Sequence, residues 1–193
     1  LELLDPADRA AREEIDYYLA ACAVELGSDD AEGALRDFER RHPGSVYAND
    51  VRFSLGSYYC AVGNMPLARE AFERTEYKAL SAPRREQYDI RMGYVEFTQG
   101  DYAAAYDRFS RIGSRSEYAD HALYYRSYID YAEGRYDRAK DGFTQLTRSD
   151  AYRDLVPFYL LQIEFRNGNY RYVVDHGEEL VRKAVPERQA ELE

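Results

Sequence analysis

The apolar positions of this chain recur in a fixed phase: a Gly, an apolar residue two places on, an Ala three further and a Phe four beyond that. The pattern reads Gly63, Met65, Ala68, Phe72, then Gly100, Tyr102, Ala105, Phe109, then Gly134, Tyr136, Ala139, Phe143. A weaker copy follows as Gly168, Tyr170, Val173, Gly177, and an upstream one is marked by Ala34 and Phe38, with Asp29 at the turn position in place of Gly. The positions 34, 68, 105, 139 and 173 are spaced by 34, 37, 34 and 34 residues, a repeat that chance does not sustain through five copies. Each member has a physical cause. Gly closes the turn after a first helix with no Cβ penalty. The Ala lies where two helices cross closely, and the Phe one turn later fills the gap on the same face. One hairpin cannot bury its apolar faces alone, so several must stack.

Caps and helix breakers set the predicted elements. Asp5-Pro6 starts a helix running to about residue 26, and Ser28-Asp29 starts its partner, which ends at Arg41 before His42-Pro43-Gly44. Further helices are predicted near 47–62, 65–77, 84–98, 101–112, 116–133, 135–147, 151–167 and 169–184. The longer 37-residue interval places three extra residues around Lys78 to Pro83, the segment expected to be an exposed loop. Pro157, early in its helix, is expected to set the start or kink it. The repeats therefore run approximately 5–43, 44–82, 83–115, 116–149 and 150–184, all within one array spanning 1–193. Residues 185–193 read as the start of a further helix or as a tail, and a continuation beyond residue 193 is expected.

Composition removes several function classes. With 26 Lys and Arg against 36 Asp and Glu, the formal charge of −10 disfavours a nucleic-acid surface or docking on anionic lipid. No apolar run approaches the roughly 18 to 20 residues a membrane helix needs. The aromatic set is 20 Tyr, 8 Phe and no Trp. Tyr suits positions half buried between helices and half open to a groove. Cys22 and Cys60 form neither a disulfide framework nor a metal-ligand spacing and are expected to be buried free thiols. His42, His121 and His176 are scattered over separate repeats, and no phosphate loop or nucleophile elbow is present. No catalytic, cofactor-binding or metal-ligating residue is expected.

The repeat signature resembles that of the tetratricopeptide (TPR) family over nearly the whole chain. The family's first-helix Leu-Gly pair appears as Leu55-Gly56 and Met92-Gly93 and decays to Arg126-Ser127 and Leu160-Leu161. The resemblance implies an all-α fold, a right-handed α-α superhelix (a TPR solenoid) of about five helical hairpins. The stretch Arg41-His-Pro-Gly-Ser-Val-Tyr-Ala-Asn-Asp50, leading into Leu55-Gly56, is similar to cell-envelope repeat proteins of Gram-negative bacteria. These include outer-membrane assembly lipoproteins and Tol–Pal-associated coordinators. A second such junction lies at Ser116 to Asp120. This likeness implies a periplasmic or outer-membrane-associated segment, part of a larger envelope protein.

The family also implies a site. Its first helices line a concave groove that accepts an extended peptide or a helix. Carried onto this chain, the fifth position of each first helix is Leu19, Phe53, Ile90, Tyr124 and Phe158. The ninth is Ala23, Ser57, Tyr94, Tyr128 and Gln162, and the twelfth is Leu26, Cys60, Phe97, Tyr131 and Phe165. The expected partner-binding residues are Phe53, Tyr94, Phe97, Tyr124, Tyr128, Tyr131, Phe158, Gln162 and Phe165, concentrated in repeats three to five. Chaperone-binding members hold a C-terminal carboxylate with Lys and Asn at the fifth and ninth positions. Those residue types are missing here, so a chaperone-tail adaptor is disfavoured. Three first helices also place an acid before an aromatic, at Glu96-Phe97, Asp130-Tyr131 and Glu164-Phe165. Such carboxylates either grip a basic ligand or pair with neighbouring helices. The leading expectation is a non-enzymatic scaffold holding a protein partner. A self-associating spacer, built through an exposed terminal helix, and a carbohydrate-binding module are the alternatives.

Overall fold

The computed structural model describes the backbone of residues 6–183 and the side chains of residues 8–180. Within them the chain is all-helical. The elements are α1 (Pro6–Glu25), α2 (Ala31–Arg41), α3 (Ala48–Ala61), α4 (Met65–Glu73), α5 (Ala82–Thr98), α6 (Tyr102–Ser110), α7 (Ala119–Ala132), α8 (Tyr136–Leu146), α9 (Val156–Arg166) and α10 (Tyr170–Lys183). They run as first and second helices of five successive hairpins, the helical-repeat fold expected. The chain forms two compact units that divide between Ala105 and Tyr106, within α6.

Unit 1 is organised around Phe38 and Phe72, both fully buried, with Leu35, Val51, Leu55, Met92 and Val95 packed about them. Unit 2 has its counterpart in Phe143, with Ala139, Leu146, Val156 and Ile163. The signature Ala and Phe are 0% exposed at 68, 72, 105, 109, 139 and 143. Each fully buried Phe contributes roughly 1.5–3 kcal/mol relative to leaving it in water, so these rings are main anchors of the hairpins that carry them.

One turn geometry ends all five first helices. At α3, the Gly63 N–H donates to Cys60 O and the Asn64 N–H to Tyr59 O, the paired bonds of a Schellman cap. Gly63 holds φ at +77° to make them. The same two bonds close α1 through Gly27, whose φ is +59°, with Ser28 N–H donating to Ala23 O. The turn glycine of the first hairpin is therefore Gly27 and not the position of Asp29. The sequence alignment, anchored on Ala34, places α1 two residues out of register, because the first turn is two residues longer than the others.

Two further expectations change. The segment 78–83 is not a simple exposed loop: Tyr77–Ala79 form a 3-10 turn, Leu80 is buried, and α5 begins at Ala82. Asn49 clamps the turn from α3, donating to Glu76 O at 3.2 Å and accepting from Glu76 N–H at 2.6 Å. The helix expected from residue 151 starts at Val156, with Pro157 in its first turn, so the proline sets the start. The thiols also differ from expectation, Cys22 being exposed and Cys60 half-buried. The segment 185–193 and any continuation lie outside the described residues.

Candidate functional site

Unit 2 carries a connected set of tyrosines. Tyr124, Tyr128 and Tyr131 lie on one face of α7 at spacings of four and three. The Tyr124 ring stacks on Tyr152, with centroids 4.6 Å apart. From α9, Tyr159 stacks on Phe143 at 4.8 Å and meets Tyr128 and Tyr131 edge-on at 5.8 and 5.6 Å. Its hydroxyl lies 3.3 Å from that of Tyr124. The Tyr131 hydroxyl donates to Gln162 Oε1 at 2.5 Å. The Arg166 guanidinium sits 6.0 Å from the Tyr131 ring and 5.7 Å from Tyr136. Tyr124, Tyr128, Tyr131, Phe158 and Gln162 are all half-buried. Their side chains are held by packing and keep part of their surface exposed, and ordered side chains of this kind give contact area at small entropic cost.

Tyr159 is the hub of this set, and the family positions pass over it in favour of its neighbour Phe158. The signal was available: Tyr159 lies three residues after Val156 and four before Ile163, both fully buried.

In unit 1 the expected residues divide. Phe53 is a core residue, 5% exposed, packed on Phe72 at 6.0 Å with Arg84 and Arg91 over its ring. It presents no face to a ligand, which corrects its assignment to an open groove. Tyr94 and Phe97 on α5 are half-buried, and Phe97 packs against Tyr102 at 5.5 Å. Leu19 and Leu26, 64% and 82% exposed, carry the two-residue register error of α1, where Tyr17 and Val24 hold the packed positions. Phe165 is 58% exposed and meets Tyr170 edge-on at 5.5 Å across the turn from α9 to α10.

The acids of α7 and α9 have internal partners. Asp130, buried, accepts from Arg135 Nε at 2.6 Å. Glu164, also buried, accepts from Asn169 Nδ2 at 2.8 Å and pairs with Lys140 at 2.5 Å. Lys140 and then Asn169 hold the Glu164 carboxyl below its ordinary pKa, and the carboxylate raises that of Lys140 in turn. In both helices the carboxylate meets the residue five places on, at the head of the next helix. These two groups tie a turn down and are occupied in doing so. Glu96 is likewise buried.

Elsewhere in unit 1, a cleft of about 480 Å³ is lined by Arg36, Glu39, Arg40, Pro43, Arg52 and Arg74. Glu39 bridges Arg52 and Arg74, while Arg36 pairs with Glu32, so its charge is largely compensated within the fold. Among the described residues no group of three or more His, Cys, Asp or Glu stands in a metal-holding arrangement, and no helix is long and apolar enough to cross a membrane.

No known family profile matches the chain, and no curated protein matches it either. Among solved structures it is similar to that of PilF from Pseudomonas aeruginosa. The TM-score is 0.59 at 17% identity, over 92% of this chain and 79% of that one. PilF contains tetratricopeptide repeats, and the likeness shows a TPR-like helical-repeat fold.

Proposed function

We propose that the chain is a non-enzymatic protein-interaction scaffold that holds an extended peptide or a helix of a partner against the tyrosine surface of unit 2. The observation that carries this reading is the arrangement of Tyr128 and Tyr131 on α7 opposite Phe158 and Gln162 on α9, all half-buried and fixed by packing through Tyr159. Rings preorganised this way lose little freedom on binding. The nearest acids, Asp130 and Glu164, are engaged internally, so recognition rests on ring faces and the Gln162 amide rather than on carboxylates. Tyr94 and Phe97 of unit 1 belong to the same reading as a second contact region.

The test is selection from a random peptide library on the wild-type chain, followed by affinity measurement on variants. Tyr128→Ala should weaken the selected peptides at least tenfold while circular dichroism shows the helices retained. Selected peptides that bind Tyr128→Ala as tightly as wild type would overturn the assignment. The reading extends to the Gram-negative cell envelope, supported by the Ser45–Asp50 and Ser116–Asp120 junctions and by the fold shared with PilF. Fractionation of the native host, with the chain recovered in cytosol alone, would remove that part.

A further inference from the structure

Eight residues before the five turn glycines stand Leu19, Leu55, Met92, Arg126 and Leu160. In unit 1, Leu55 and Met92 lie in the core, each 3% exposed. Of the five first helices, α7 alone puts a charge at this place. A guanidinium is costly to bring out of water, and a fold that does so ordinarily supplies an acid to meet it. Arg126 is half-buried, yet among the described residues no carboxylate stands within ion-pair distance of it. Its Nε is buried and finds no hydrogen-bond acceptor. The Tyr106 ring, 5.8 Å from the guanidinium carbon, attracts the charge but offers that N–H no acceptor. A buried polar atom left in this state calls for a cause outside packing.

Arg126 lines a cleft of about 420 Å³ that lies wholly within unit 2. Ile112, Ala122 and Leu123 supply its apolar wall, and Ser114, Asp120 and Gln145 its other polar groups. The arginine-lined cleft of unit 1 is its counterpart, one hairpin register matching the other position for position. There Glu39 bridges Arg52 and Arg74, so the cations are held by an acid of the fold. The corresponding residues of unit 2 are Ser110, Leu123 and Gln145. All three charges are absent together, and a single cation enters at Arg126, in place of Leu55. The bridge that occupies the first cleft is missing from the second, while the second gains a guanidinium that nothing in the fold neutralises.

We propose that this cleft binds a small organic monocarboxylate, with its carboxylate across the two Nη atoms of Arg126 and its apolar body against Ile112, Ala122 and Leu123. The Nη atoms, unlike Nε, are not buried. A planar guanidinium matches the fork of a carboxylate, and the volume is that of a small-molecule pocket. Asp120 limits the charge of the ligand. It is exposed, lines the same cleft, and its Oδ2 accepts from Ser149 Oγ at 2.6 Å rather than from Arg126. A second negative charge on the ligand would meet this carboxylate, so a dianion is disfavoured. The site shares no residue with the Tyr128 surface, so it stands or falls apart from the proposed function.

The experiment is a heteronuclear NMR titration of the isotope-labelled chain with phenylacetate and with hexanoate. It follows the Arg126 Nε–H resonance, identified by its absence from Arg126→Leu. Phenylacetamide, the neutral counterpart, and inorganic phosphate are the controls. At least one acid should shift this resonance together with the amides of Ile112 and Leu123, saturating with a Kd below about 1 mM. The amide should bind at least tenfold more weakly than phenylacetate, and phosphate should leave the resonances in place. Arg126→Leu restores the residue that α1, α3 and α9 carry, so it should fold, unfold at a higher temperature than wild type, and lose the shifts. Neither acid saturating below about 10 mM, an amide as tight as the acid, or phosphate moving the same resonances would each overturn the proposal. So would shifts that survive in Arg126→Leu. A lower unfolding temperature for Arg126→Leu would show the guanidinium satisfied within the fold and remove the premise.

Discussion

A Cβ built on Gly142 of α8 would stand 2.0 Å from Ser127 Oγ on α7, inside the distance any side chain tolerates. The same crossing in unit 1 places its glycine on the other helix. Gly56 on α3 faces Phe72, whose ring would meet a Cβ at 2.5 Å, and Ala71 occupies the position equivalent to Gly142. Ser127 stands where the repeat pattern has its Leu-Gly glycine, so the decay of that pair is answered by a new glycine opposite. Close approach of the helices is kept, and the residue that permits it has moved across the crossing.

Gly142→Ala should therefore destabilise unit 2. Overpacking costs about 1–3 kcal/mol, which exceeds the roughly 0.5–1 kcal/mol that Ala gains over Gly inside a helix. Urea unfolding would show a lower midpoint for Gly142→Ala, and partial recovery in Ser127→Gly/Gly142→Ala, which reproduces the Gly56/Ala71 combination. An unchanged midpoint for the single variant would mean the crossing has slack.

The first turn offers a sharper contrast. Gly27 holds a left-handed φ of +59°, whereas Asp29 is exposed in the turn that follows. Gly27→Ala should cost about 1–2 kcal/mol, and Asp29→Ala should stay within about 0.5 kcal/mol of wild type. Thermal unfolding of both variants decides. Equal losses would restore the register that the sequence pattern predicts.

That register error shows what the sequence carried and what it did not. The helices were readable because Gly63, Gly100, Gly134 and Gly168 stand at a constant distance from a small residue and a large one, and each does one physical task. Gly27 escaped because the distance to Ala34 differs by two residues, and a pattern anchored on the second helix cannot detect a longer turn. Phe53 shares its family position with Tyr124 and Phe158, but position alone does not say which ring is open. Phe53 is enclosed by Phe72 and two arginines, while Phe158 is half-buried. Tyr159 was legible in the helical period of its own helix and hidden only by attention to family positions. The pairing of Glu164 with Lys140 joins α9 to α8, and the 34-residue period carries no direct sign of it.

That ion pair predicts a pH dependence with a definite sign. Glu164 has a carboxyl pKa lowered in the folded state by Lys140 and Asn169. The unfolded chain therefore binds this proton more readily. The stabilisation is complete above the ordinary carboxylate pKa of about 4.3 and is lost as pH falls from there through the folded pKa. Because Lys140 is partly exposed, the pair is worth about 0.5–1 kcal/mol. Glu164→Gln should be less stable than wild type near neutral pH, with the gap closing as the solution is acidified. A gap that widened in acid would reverse the sign and refute the pairing.

The two thiols should differ in reactivity by a wide margin. Burial pushes the Cys60 pKa up to about 11, a rise only partly offset by the charge of Arg91, whereas Cys22 is exposed on α1. The thiolate is the reactive form, so at pH 8 roughly one Cys60 in a thousand is competent at any instant. An aromatic disulfide reagent at low protein concentration should release one equivalent quickly and a second only slowly, or at once when denaturant opens the fold. Cys22→Ser should remove the fast phase, and Cys60→Ser should leave it intact.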